Sequence, residues 1–517
     1  MRIGVDFDNT IVCYDALFPR VARELGLAAN AETKAGVREE LQRARRENDW
    51  TELQGRVYGE RMAEAEPFPG VIEFFKACRE AGWEVAIVSH KTRQPVLGKP
   101  CDLHAAALRW LEERGFFDPA GAALPRSAVF FELTRADKLA RITALGCTHF
   151  IDDLPEVFAE AAFPKIGRIL FDPNRIYFDG PCPSESTWKG IFERLQFSNF
   201  AARHGYGGEP AIVPLAGGGN NRVYRVSDGA RSAVLKQYFQ SAADMRDRFG
   251  AERAFYEFLW SRGVRRTPEP LGWDAEQRLG LFAFVDGHKL RPEEVDAGHV
   301  DQAIQFIVEV NRDRANAESI PNASEACFSL AEHVAVIDKR LDRLRQIEAA
   351  SEIDREAIVF ARDALRPSWQ RIRQTILASP EAPSVLRILS PSDFGFHNAI
   401  LPADGRLRFF DFEYAGWDDP AKLICDFFYQ PQVPAPLPLW DRVVSAWSDA
   451  FAGGQHLSAR ARLLLPAYQL KWVCIMLNEF LRHERDRRNF AKGAASAEQR
   501  KVTQLANARA AFAAIRC

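Results

Sequence analysis

Ser390-Pro391-Ser392-Asp393-Phe394-Gly395-Phe396-His397-Asn398, followed by the mainly apolar run Leu407-Arg408-Phe409-Phe410 and then Asp411, is the stretch on which the reading of this chain turns. Asp393 is suited to orienting or deprotonating an acceptor hydroxyl. Asn398 follows five residues later, and the strand Leu407–Phe410 delivers Asp411. Both offer hard oxygen atoms to Mg²⁺ on the phosphates of ATP.

Working outward, Gly217-Gly218-Gly219 lies between two strand-like runs, where bare backbone amides can approach phosphate. Lys236 ends Ala233-Val234-Leu235-Lys236 on the next strand, and Glu252 comes sixteen residues later on a helix. That distance suits an ion pair that aims the lysine at phosphates. Taken singly, the glycines fit a flexible hairpin and the charged pair fits an exposed surface. Together with Asp393, Asn398 and Asp411 they resemble the aminoglycoside phosphotransferase and choline kinase-like family over about residues 205–430, and loosely beyond. The resemblance implies a kinase using ATP and Mg²⁺. It implies that Phe282–Gly287 is a hinge whose backbone contacts adenine. Lys471-Trp472 and Asn478-Glu479, on an apolar helix, either face the acceptor or are satisfied by neighbours. The family usually has histidine two residues before the catalytic aspartate; here that residue is Pro391. The remaining set favours an active kinase.

A second set of acids opens the chain. Asp6-Phe7-Asp8-Asn9-Thr10 follows an apolar run, at the strand tip where ligands bind open α/β sheets. There Asp6 is placed to attack phosphorus and Asp8 to protonate the leaving oxygen. Two acids this close need a cation, which implies Mg²⁺. Ser89 caps the strand Val85–Val88, Lys138 opens a helical stretch, and Ile151-Asp152-Asp153 ends another strand. The layout resembles the haloacid dehalogenase superfamily over roughly residues 1–178. By that resemblance Asp6 is the nucleophile, Asp8 the acid/base, Ser89 the phosphate binder and Lys138 the charge neutraliser. The metal site is Asp6, Asp8, Asp152 and Asp153, with Asp153 in an outer, supporting role. His90, Lys91 and Arg93 are candidates for substrate contact, Gln94–Leu103 for a loop over the site, and residues 14–67 for a small helical cap.

The bulk properties set limits. A chain of 517 residues is too long for one ordinary core. With 68 basic against 70 acidic residues, a nucleic-acid track is not expected, and the Arg482, Arg485, Arg487 and Arg488 cluster reads as a solvated helix face. Nine scattered cysteines without metal spacing read as reduced thiols, and no apolar run reaches the ~18 residues of a membrane span. A cytoplasmic protein without membrane contact is expected.

The expected fold is an α/β Rossmann-like haloacid dehalogenase domain with a small helical cap (residues 1–178), a linker at 179–199, and a bilobal α+β protein-kinase-like domain (200–517). The small lobe spans about 200–290 and the helical lobe about 291–517. The expected function is bifunctional: a Mg²⁺-dependent phosphatase for a small phosphate ester, and an ATP-dependent kinase for a small hydroxyl acceptor. A sugar or polyol route such as one to surface-polysaccharide precursors would employ both. The alternatives are a phosphatase regulated by a weakly catalytic ATP-binding module, and polynucleotide end processing.

Overall fold

The computed structural model describes residues 1–28, 30–177, 182–207, 210–215, 221–240, 246–381, 385–482 and 497–515. The chain divides into two compact units, Met1–Ile212 and Val213–Cys517.

The first unit is built on a parallel sheet. Its strands run, in spatial order, Val129–Glu132, Glu84–His90, Arg2–Val5, His149–Asp152, Gly167–Phe171 and Ser184–Glu185. The first strand in sequence lies in the middle, so the order reverses between Arg2–Val5 and His149–Asp152. Crevices at such reversals, outside the carboxyl ends of the strands, are where open α/β sheets bind ligands. Both faces are buried, as parallel sheets require. Ile3, Val5, Ile87 and Ile151 join one apolar cluster with residues of the helices Val71–Glu80, Leu103–Glu113 and Trp188–Arg203. Ala86, Val88, Phe150 and Leu170 join another with Leu139 and Ile142 of helix Arg135–Ala144. Gly4 is required at the centre: a Cβ there would stand 2.5 Å from the buried Phe150 ring.

An antiparallel strand pair, Val12–Cys13 with Glu66–Pro67, closes off the helical insertion. Its helices are Leu17–Glu24, Lys34–Arg43 and Glu47–Tyr58. Phe18 stacks on Trp50 at 5.2 Å, and with Leu53 and Val57 they join the same apolar cluster as Ile3 and Val5 of the sheet. Residues 14–67, expected as a small helical cap, are mainly helical and share the sheet's apolar core.

The expected linker at 179–199 is corrected. Residues 178–181 lie outside the described set. Beyond them Ser184–Glu185 pairs with the sheet edge, and Trp188–Arg203 is a helix capped by the Thr187 hydroxyl. Trp188 is buried between Phe74 and Phe171, at 4.8 and 5.2 Å. Gly180, Pro181, Pro183 and the serines suggested a loop; the apolar periodicity of Trp188, Ile191 and Leu195 decides for a docked helix instead.

The second unit begins with an antiparallel sheet in the order Pro270–Asp274, Leu279–Ala283, Ser232–Gln237, Arg222–Ser227, Ala211–Pro214, the last strand crossing the division between units. Helix Arg248–Ser261 packs on it. From Ala297 onward the unit is mainly helical, with two short hairpin-like pairs, Ile388–Ser390 with Gly416–Asp418 and Ala399–Ile400 with Arg408–Phe409. These pairs carry the segment that includes Asp393, Asn398 and Asp411. Among the described residues no helix is long and apolar enough to cross a membrane.

Candidate active sites

In the first unit, the strand-end acids meet at the reversal of strand order. Helix Arg135–Ala144, capped by Thr134, carries Lys138 in from the side. Its Nζ lies 2.5 Å from Asp6 Oδ1 and 2.6 Å from Asp152 Oδ2. Asp6, Asp152 and Asp153 present oxygen atoms within 4.8 Å of one another. Such an all-carboxylate set suits a hard divalent cation such as Mg²⁺. Burial pushes the Asp6 carboxyl up to about 7; Lys138 opposes this and Asp152 adds to it. Burial, with Asp152 and Asp6, also raises Asp153 well above the carboxylate range. Burial opposes the charge on Lys138, but Asp152 and Asp6 outweigh it and keep the ammonium charged.

Asp8, expected among the metal residues, is not one of those three carboxylates. Its carboxylate receives Lys91 Nζ at 2.9 and 3.0 Å and the Tyr14 hydroxyl at 2.6 Å. Ser89 is buried on its strand. Thr10 Oγ1 donates to Asp153 Oδ1 at 3.1 Å and fixes that carboxylate. The cap adds Lys34, a residue that sequence reasoning missed. Its Nζ reaches Asn9 Oδ1 at 2.8 Å and the Tyr58 hydroxyl at 3.0 Å. Asn9 has φ 60°, a left-handed conformation that asparagine tolerates.

A cavity of about 240 Å³ opens beside Asp8, lined by Tyr58, Gln54, Lys91, Pro95 and Val96 among others. Pro95, Val96 and Leu103 of the 94–103 loop line this cavity. Gly55 permits this: a Cβ there would stand 2.7 Å from the Leu97 carbonyl. His90 also lines the cavity, with its ring on the Leu133 carbonyl at 3.0 Å. Arg93 turns to Asp102 at the surface.

In the second unit Lys236 is the hub. Its Nζ lies 2.6 Å from Glu252 Oε2 and 2.5 Å from Asp411 Oδ1. Glu252 is fixed in turn by the Phe412 backbone N–H, which donates to Oε1 at 3.0 Å. Burial opposes the Lys236 charge, but Asp411 and Glu252 outweigh it and raise the group above the ordinary lysine range. Burial raises Glu252, with Lys236 opposing. Asp411 holds φ 69°, a strained backbone that aims its carboxylate at Lys236.

Asn398 Nδ2 donates to the Asp393 carbonyl at 3.0 Å, and its own carbonyl accepts from Phe410 N–H at 3.0 Å. The loop bearing Asp393 and the strand leading to Asp411 are therefore tied together. Pro391 supplies no brace, yet His397 does: its Nε2 lies 3.3 Å from Asp393 Oδ1. Burial works to raise Asp393, but the His397 hydrogen bond and charge prevail and hold it below the usual range. This contact was not anticipated, because a histidine adjacent to Asn398 gives no local sign of turning back four residues.

A cavity of about 840 Å³ is lined by Asp393, Asn398, Asp411, Lys471, Trp472, Asn478 and Glu479, among other residues. All four of the late candidates face it. Lys471 is also engaged by a neighbour, Asp426, at 2.5 Å. Just after Phe282–Gly287, His288 and Leu401 exchange backbone hydrogen bonds at 3.2 and 2.9 Å. Gly217, Gly218 and Gly219 lie outside the described residues.

The profile of the phosphotransferase enzyme family matches residues 211–455. No curated protein matches the chain. Among solved structures, a choline/ethanolamine kinase family protein from Mesorhizobium loti is 16% identical, with 62% of this chain and 94% of that chain covered, at a TM-score of 0.43. The choline kinase LicA from Streptococcus pneumoniae is 13% identical, covering 63% and 99%, at 0.41. The macrolide 2'-phosphotransferase MphH from Brachybacterium faecium is 16% identical, covering 58% and 99%, at 0.39. Residues 211–455, which hold Lys236, Glu252, Asp393, Asn398 and Asp411, thus match the phosphotransferase enzyme family.

Proposed function

We propose that the chain carries two activities: hydrolysis of a small phosphate monoester in the first unit, and ATP-dependent phosphorylation of a small hydroxyl compound in the second. One observation, repeated in each unit, carries this reading. A buried lysine ties together acids delivered by separate elements, Lys138 with Asp6 and Asp152, and Lys236 with Glu252 and Asp411.

In the first unit an Asp6 oxygen attacks phosphorus while the bond to the leaving oxygen breaks, and Asp8 supplies that oxygen with a proton. Water then attacks the aspartyl phosphate, Asp8 takes the proton back, and Asp6 is released. Lys138 balances the charge that collects on Asp6. Asp6, Asp152 and Asp153 are the residues that would hold Mg²⁺, which when bound offsets the charge of the phosphoryl oxygens.

In the second unit Asp393 accepts the hydrogen bond of the acceptor hydroxyl and so orients its oxygen. Lys236, held by Glu252, faces the phosphates of ATP. Asn398 and Asp411 are the residues that would hold Mg²⁺ there. Opposed action on one bond would only consume ATP, so the two sites serve different positions or successive intermediates, as in a sugar or polyol route.

The test is a panel of free and phosphorylated metabolites against the full chain and two variants. Asp6→Asn should abolish hydrolysis and spare transfer; Asp393→Asn should do the reverse. Hydrolysis surviving Asp6→Asn, or either substitution ending both activities, would refute the assignment.

A further inference from the structure

The large cavity of the second unit holds a lysine that the reaction proposed above does not use. Of the three lysines among the described residues that line it, Lys422 pairs with Asp418 at 2.7 Å and Lys471 with Asp426 at 2.5 Å. Lys289, the third, makes no ion pair among the described residues. Its one hydrogen bond there is long: Nζ donates to the His397 carbonyl at 3.3 Å. An ammonium has three donors, so two are left over.

The backbone on either side of this lysine is held. His288 exchanges hydrogen bonds with Leu401, and the close approach depends on Gly287, where a Cβ would stand 2.6 Å from the Leu401 carbonyl. Leu290, on the other side, is buried in the core of the helical lobe. Lys289 itself stays exposed, so a fixed stretch of chain presents an accessible cation to the cavity.

That cation lies beside the residues assigned to the metal. His397, whose carbonyl it contacts, immediately precedes Asn398. The Phe410 ring, with its centroid 5.2 Å from Nζ, immediately precedes Asp411. Burial holds the Lys289 ammonium below the ordinary lysine range, and Asp411 opposes this without prevailing. A charge that its surroundings disfavour, and that has no adjacent counter-ion, gains from an arriving anion. The anion due beside Asn398 and Asp411 is the phosphate chain of ATP, whose oxygens share Mg²⁺ with such residues.

We propose that Lys289 is a second lysine on the phosphate chain of the nucleotide, acting together with Lys236. The inference rests on the kinase reading of this unit and adds a nucleotide-binding residue to it. The Lys236 charge is shared with Glu252 and Asp411, whereas Lys289 brings two unused donors and a charge that no carboxylate contact offsets.

The experiment uses the full chain with Mg²⁺, titrated by calorimetry with AMP-PNP, which carries the whole phosphate chain, and with adenosine, which carries none. Lys289→Met should weaken AMP-PNP by about tenfold or more, as for loss of a hydrogen bond to a charged group. Adenosine affinity and the thermal transition should stay as in the parent. Lys289→Arg keeps the charge and should restore most of the AMP-PNP affinity. Undiminished AMP-PNP affinity in Lys289→Met, equal loss of both ligands, or no rescue by arginine would overturn the proposal. Lys236→Met is titrated alongside. If it weakens AMP-PNP and Lys289→Met does not, the kinase reading stands and the second lysine falls. If the parent binds neither ligand, both fall.

Discussion

Replacing Lys236 with methionine tests the second site at its hub. The substitution keeps the length and apolar stem and removes the ammonium that contacts Glu252 at 2.6 Å and Asp411 at 2.5 Å. Glu252 is only 1% exposed, so its charge is left without a counter-ion in a dry setting. Breaking a buried pair from one side costs about 3–5 kcal/mol. For a unit of this size, at about 2 °C per kcal/mol, the melting temperature should fall by roughly 6–10 °C. ATP turnover should fall by a factor on the order of 10²–10³, as for loss of one preorganised charge contact in an active site. Acid should narrow the stability deficit. Glu252 has a raised carboxyl, so its contribution is fully present below the unfolded value and is lost as pH rises through the folded one. Protonated Glu252 needs no counter-ion, and the variant should approach the parent as pH falls. The double variant Lys236→Met, Glu252→Gln separates folding from chemistry. The glutamine carbonyl can still accept from Phe412 N–H and carries no charge, so most of the lost stability should return while turnover stays low. Scanning calorimetry and ADP release measure the two quantities. Undiminished turnover in the single variant, or a double variant no more stable than the single, would refute the reasoning.

Loss of His397 as alanine removes a hydrogen bond to a charged carboxylate, worth about 1.5–3 kcal/mol, so kcat should fall roughly ten- to a hundredfold. Because His397 helps hold Asp393 low, the acid limb of the kcat profile should also move to higher pH; an unmoved limb would show that the contact does not govern Asp393. Trp188→Ala should destabilise the first unit by about 3–5 kcal/mol, visible in its thermal transition, because the ring fills the space between Phe74 and Phe171. Were residues 182–203 a mere tether, the transition would not shift. Mg²⁺ at about a hundred times its Kd should stabilise the first unit by about 2.7 kcal/mol, and EDTA or Asp152→Asn should remove the effect. A melting curve indifferent to Mg²⁺ in the parent protein would count against the carboxylate site.

The strand tips were legible because strand and motif are one local pattern. An apolar run of four or five residues ending in Asp6, Ser89 or Asp152 already states that the polar residue emerges at a sheet edge. The same holds for Lys236, on a strand, and Asp411, after one. Lys34 was not legible: its ammonium crosses from a cap helix to Asn9, and nothing near it in sequence marks the contact. The same is true of Lys91 closing on Asp8. The misplaced linker had a different cause. Its glycine and prolines punctuate only the first few residues, while the tertiary opening between Phe74 and Phe171 claims Trp188 and the helix behind it.

By itself, then, the order of residues determined which groups stand at element ends, since strand alternation and helix periodicity act over a few residues. It also placed the two sets of acids in separate stretches, and so in separate folding units. Only the tertiary structure decided which charges neutralise which. Lys138 joins Asp6 across 132 positions and Lys236 joins Asp411 across 175, and such pairs form because burial penalises each charge alone. The brace on Asp393 and the engagement of Asp8 by Lys91 and Tyr14 belong to that second class.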